Sequence, residues 1–149
     1  MLDLKIYSYT NKPDSNEKNQ IVDFLYEHLE NFRDDKTDIE KAINYAFKEY
    51  TSFGGFVLAY YEDSKLLGAV VVNQTGMEGY IPENILVYIA THKDYRGKGI
   101  GTMLMNEAIN RANGNIALHV EPNNPAKFLY QKLGFTSKYL EMRLTKKAV

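Results

Sequence analysis

Residues 85–91, Ile85-Leu86-Val87-Tyr88-Ile89-Ala90-Thr91, form a strongly apolar run, and a loop carrying three glycines, Tyr95-Arg96-Gly97-Lys98-Gly99-Ile100-Gly101, follows almost at once. Ile100, Met103, Leu104, Ala108, Ile109 and Ala112 then recur on one helical face, which Asn113-Gly114 ends. A buried strand that feeds a helix through a glycine turn restricts the fold to sheet layers covered by helices. The arrangement recurs downstream. Residues 116–120 read as a short strand, Pro125 suits the first turn of a helix, and Gly134 suits its stop. Each segment puts a loop and a helix N-terminus at the carboxyl end of a strand, where α/β sheets bind phosphates.

The rest of the chain supplies the remaining layers. Leu2, Leu4 and Ile6 alternate with polar residues as a half-buried strand does. Asp14 and Glu17 have capping-box spacing ahead of Ile21, Leu25, His28, Leu29 and Phe32, and Thr37 and Glu40 repeat it ahead of Ile39, Ala42, Ile43, Ala46, Phe47 and Tyr50. Two helices follow from that. Residues 56–61 and 66–72 are β-branched and aromatic runs across a polar turn, hence an antiparallel hairpin. Residues 73–84, with Gly76, Gly79 and Pro82, read as an irregular loop. Residues 135–144 can supply one or two closing strands. The expected fold is therefore α/β in the mixed α+β sense, a mixed central sheet of about six to seven strands with helices on both faces.

At 149 residues, 44% hydrophobic, the chain is expected to form a single domain over residues 1–149. A net charge of −1 with interspersed signs argues against nucleic-acid binding through a basic face. Cysteine is absent, which removes disulfides, thiol nucleophiles and thiolate metal sites. The three histidines lack metal-ligand spacing, so no metal is expected. No signal-peptide core and no apolar run of roughly 20 residues is visible, which points to a cytoplasmic protein without a membrane role.

Backbone amides close on a phosphate only where no side chain intervenes, and a helix N-terminus adds its partial positive charge. Gly97, Gly99 and Gly101 meet that condition, with Arg96 and Lys98 beside them to offset phosphate charge. A tight strand-to-helix turn explains the same glycines. Two commoner phosphate loops do not fit. A Walker A loop needs glycine where His92 stands, and a dinucleotide fingerprint needs one where Thr102 stands.

At this point the residues resemble the GNAT superfamily of acyl-CoA-dependent N-acyltransferases. Arg96, Gly99 and Gly101 match its Q/R-x-x-G-x-G/A signature, and Asn123, Ala126, Tyr130, Gly134 and Phe135 match N-x-x-A-x-x-x-Y-x-x-x-G-F, in the family's order. The resemblance is sharp over residues 85–135. It implies that the loop of Arg96, Gly97, Lys98, Gly99, Ile100, Gly101 and Thr102 binds the pyrophosphate of coenzyme A. It implies also that Ile89, Ala90 and Thr91 pair through their backbone with the pantetheine arm, one N–H stabilising the oxyanion. Asn123 would contact the arm and Ala126 would let the helix approach it. Where the family often has valine, this chain has Thr91, a minor departure for main-chain contacts.

The resemblance makes Tyr130 the general acid, since a phenol titrating near 10 is still protonated at neutral pH and can donate to a departing thiolate. Without the pattern it reads as a core aromatic. The base is not identified: Glu83 is the first candidate, a solvated loop acid the plainer reading, with Glu121 and His119 behind it. His28 reads as a packing histidine and His92 as a loop residue. Asp34 and Asp35 are weighed between a solvated turn and an attractor for a cationic amine.

The expected activity is therefore transfer of an acetyl group from acetyl-CoA to a primary amine, of a small molecule or a protein, by direct attack in a ternary complex. The alternative is a non-catalytic module that binds or senses acyl-CoA. The acceptor is not legible, and a homodimer stays open.

Overall fold

The computed structural model, which describes residues 2–147, builds a mixed sheet from β1 (Leu2–Tyr7), β2 (Gly55–Glu62), β3 (Lys65–Gln74), β4 (Asn84–Thr91) and β5 (Ile116–Leu118), hydrogen-bonded in that order. Neighbouring strands are antiparallel except β4 and β5, which are parallel. Asp63 and Ser64 both take positive φ, 50° and 69°, in the turn that closes the β2–β3 hairpin. β3 is buried without interruption over 67–73, so both of its faces are covered.

The cover differs by face. Val57, Ala59, Ala69, Val71, Tyr88 and Ala90 cluster with Ile21 and Leu25 of α1 (Ser15–His28) and with Ile39, Ile43 and Ala46 of α2 (Lys36–Ala46). Gly68 points the other way, onto α3 (Ile100–Arg111), where a Cβ would stand 3.2 Å from Ile100 Cγ2. Ile100, Leu104, Met105 and Ala108 are the buried residues of that helix. Burying each such side chain stabilises the fold by about 1.5–3 kcal/mol. The mixed α+β sheet with helices on both faces is as expected.

Local signals held to different degrees. Asp14 caps α1, accepting from Glu17 N–H at 2.7 Å. Glu17 does not reach back, as a capping box would. Its carboxylate instead accepts from Lys5 at 3.1 Å and from the Tyr7 hydroxyl at 2.5 Å, pinning α1 to β1. The second helix begins at Lys36, after Asp35, rather than behind Thr37, and its first turn has no side-chain cap.

The chain divides into two compact units, Met1–Leu118 and His119–Val149. The second holds α4 (Ala126–Lys132), whose first turn is capped by Asn124 Oδ1 accepting from Ala126 N–H at 2.9 Å. Gly134 ends it at φ 104°, and Phe135 N–H returns to the Tyr130 carbonyl at 3.0 Å. The sheet has five strands rather than six to seven, because residues 135–144 form none. Leu140, Met142 and Leu144 do alternate with polar residues, yet they stand 87–88% exposed. Alternation allows a strand, but only a paired edge supplies its hydrogen bonds.

Candidate functional site

β4 is paired differently along its two edges. On the β3 side the ladder runs from Gln74↔Asn84 to Gly68↔Thr91, with a register shift that leaves Val87 as the extra residue of a bulge. On the β5 side pairing stops at Leu86↔Leu118. Among the described strands none pairs with the second edge of β4 beyond Leu86, the stretch holding Ile89, Ala90 and Thr91. Backbone donors and acceptors are left there for another extended chain.

That open stretch leads into the glycine loop. Gly97 and Gly99 take φ 79° and 85°, and a Cβ on either would meet nothing within 4 Å. Conformation rather than crowding selects glycine here, and the space above both is open. Gly99 caps α3, whose first turn carries no acidic residue. The first N–H groups of the helix, Ile100, Gly101 and Thr102 among them, have no partner inside it. Tyr95 projects from the same loop between two ammonium groups, Lys98 at 5.1 Å and Lys65 at 5.0 Å from its ring centre. Lys65 is the first residue of β3 and carries no motif that reveals it.

Arg96 does not present a free fork. One guanidinium nitrogen pairs with Glu30 at 2.7 Å and the other donates to the His28 carbonyl at 2.7 Å. His28 in turn accepts from Lys93 N–H through Nδ1 at 3.1 Å. It is buried against Phe24 and His92, their ring centres 4.5 and 4.2 Å away. The reading of His28 as a packing histidine holds. The α1 terminus and the 3-10 turn Glu30–Phe32 thus grip the segment just ahead of the glycines.

Tyr88, the first residue past the bulge, is buried and donates to Asp34 Oδ2 at 2.5 Å. Burial first, then this bond and the Asp34 charge, push its phenol well above the ordinary range. An exposed acid of the α1–α2 turn is thereby held to the open stretch of β4.

Glu83 immediately precedes β4. Its two oxygens accept from Asn115 N–H at 2.7 Å and Gly79 N–H at 3.0 Å, which hold its carboxyl below the usual range. Gly114, at φ 99°, clears the space that this carboxylate occupies. An open groove of about 460 Å³ lies beside it, lined by Gln74, Met77, Glu78, Tyr80 and Asn113 among others.

In the second unit Tyr130 is 8% exposed, its ring 6.1 Å from Phe135 in an edge-on contact. Burial raises its phenol to about 12. Asn123, His119 and Glu121 are exposed, and Ala126 opens α4. Among the described residues no group of three or more His, Cys, Asp or Glu is placed to hold a metal, and no helix is long and apolar enough to cross a membrane.

A family model described as an acetyltransferase (GNAT) domain matches residues 53–137. Of solved structures, a possible acetyltransferase from Clostridium difficile 630 superposes with a TM-score of 0.71 at 17% identity, over 100% of this chain and 99% of that one. An aminoglycoside N-acetyltransferase, AAC(6′)-Iy, in complex with CoA gives 0.69 at 14% identity over 99% and 96%. An aminoglycoside acetyltransferase from an uncultured soil metagenomic sample gives 0.68 at 18% over 99% and 99%. At these identities the likeness is one of fold. Among curated proteins, mouse cysteine-rich protein 2-binding protein is 37% identical over 60 residues, 39% of this chain but only 8% of that protein's length.

Proposed function

The chain belongs to the GNAT acetyltransferase family, and from that premise we propose that it moves an acetyl group from acetyl-CoA to a primary amine by direct attack in a ternary complex. One observation carries the reading: a central strand whose second edge, among the described strands, is unpaired beyond Leu86 and runs into glycines with open space above them. An extended pantetheine arm would complete that edge through Ile89, Ala90 and Thr91, and the amides opening α3 would take the pyrophosphate, with Lys98 and Lys65 offsetting charge. An N–H of the open edge would stabilise the oxyanion of the tetrahedral intermediate.

In this reading all 149 residues act as one acetyltransferase domain, and the family match, which runs across both units, supports that. Tyr130, raised to about 12, keeps its proton throughout the physiological range and protonates the departing thiolate. Asn123 and Ala126 would face the cofactor arm. For the amine's proton, a carboxylate already held low by two amides is a weak acceptor, so Glu83 serves better to hold the loop beside the groove. Asp34, oriented by Tyr88 at the open stretch of β4, would attract a cationic amine.

The reaction tests the reading. Incubation with acetyl-CoA and a panel of amines, small and peptidic, should release CoA and add one acetyl group to the acceptor by mass. CoA binding with no transfer to any amine would instead favour an acyl-CoA-binding module.

A further inference from the structure

His28 has no part in the chemistry above, yet few polar side chains are as buried, at 4% exposed. Its contacts converge on one short segment. Nδ1 accepts from Lys93 N–H at 3.1 Å, and the carbonyl of the same residue accepts from the Arg96 guanidinium at 2.7 Å. Both ends of residues 93–96 are therefore fixed from a single point on α1, and Gly97 follows directly. An accepting Nδ1 places the ring hydrogen on Nε2, which faces the Glu27 carboxylate at 3.3 Å.

The surroundings favour the neutral ring. From the loop side it meets His92, Lys93 and Arg96. From its own helix it meets the Glu27 carboxylate, while Glu30, in the 3-10 turn that follows, pairs with Arg96. Burial first, then the His92, Arg96 and Lys93 charges, lower its pKa against the opposing pull of Glu27. Protonation would turn Nδ1 into a donor facing a donor and add a cation beside Arg96.

We propose that neutral His28 is a positioning residue for the cofactor loop, holding residues 93–96 so that the amides from Gly97 to Gly101 face the pyrophosphate, and that its protonation releases this hold. The proposal rests on the reading that this loop binds coenzyme A. It makes donor affinity, rather than the chemical step, sensitive to acid.

The test is a binding titration with 3′-dephospho-CoA between about pH 5 and pH 8, since that ligand lacks the phosphate monoester that titrates near pH 6. Wild-type affinity should be level at and above neutral pH and fall about tenfold as the imidazole protonates. His28→Asn offers an amide oxygen to Lys93 N–H without titrating. It should keep neutral-pH affinity within about twofold and flatten the profile, whereas His92→Asn should keep the acid loss of affinity and move it to higher pH, since it removes a charge that lowers the His28 pKa. His28→Leu should bind about tenfold more weakly at every pH, with the loss in donor affinity and not in turnover at saturation. If His28→Leu does not fold, the asparagine pair decides. A profile that His28→Asn leaves unchanged, or His28→Leu binding as tightly as wild type, overturns the positioning role and leaves the loop reading standing. Failure of the wild type to bind either CoA or 3′-dephospho-CoA overturns the loop reading and this inference together.

Discussion

The hydroxyl of Tyr88 donates to the carboxylate of Asp34 across 2.5 Å, joining the central strand to a turn 54 residues away in sequence. Phenylalanine at 88 keeps the packed ring and loses the bond. Because Asp34 is exposed, the expected loss of stability by denaturant melt is only about 1 kcal/mol. Asp34→Asn should raise the KM of a cationic acceptor while acetyl-CoA binding stays within about twofold. Equal effects on both substrates would remove Asp34 from the acceptor side.

Tyr130→Phe should lower kcat about a hundredfold and leave CoA affinity nearly intact, since the hydroxyl acts only when sulfur departs. Steady-state kinetics with a separate CoA titration distinguish the two. An unaltered kcat would end its assignment as general acid.

Gly99→Ala forces an alanine to φ 85°, where no neighbouring atom obstructs it. Its cost is therefore conformational, about 1 kcal/mol. Thermal melts should show a modest loss and CoA titrations a larger one. Gly114→Ala should be the more destabilising of the two, because its new methyl also meets the Glu83 carboxylate.

Alkaline pH provides a test of burial. The phenols of Tyr61 and Tyr88 are raised, and that of Tyr130 reaches about 12, in each case with burial as the leading cause. The folded state holds these protons more tightly than the unfolded chain. Their contribution is complete below the ordinary tyrosine value of about 10 and is lost progressively above it. Stability by urea melts should be flat to about pH 10 and then fall, and tyrosinate absorbance should lag behind that of the unfolded protein.

The letters revealed the elements more fully than their meeting points. Ile100, Leu104 and Ala108 announced α3, and Asn113-Gly114 announced its end, because helical periodicity and stop signals are local. The glycines at 97 and 99 were equally legible, since a positive φ leaves its mark in one residue. Arg96 was readable as a cation of the loop, but not as the partner of the His28 carbonyl 68 residues away. Nothing in the sequence separates a guanidinium facing a phosphate from one facing a helix end. The second half of the Glu17 capping box failed for a related reason. Its carboxylate found stronger partners in Lys5 and Tyr7, which only the packing of α1 on β1 brings near. Leu140, Met142 and Leu144 mark the opposite case, an alternating pattern for which no paired strand forms.

The half-paired state of β4 has a consequence for how its amides exchange with solvent. Every second residue of a strand directs its N–H to the same edge, so one set of β4 amides is locked in the ladder with β3. Beyond Leu86 the other set has no partner among the described strands. Deuterium should enter the strand in two populations, slow and fast, interleaved residue by residue. A bound molecule that completes the edge would merge them, and the positions slowed would trace its path along the strand.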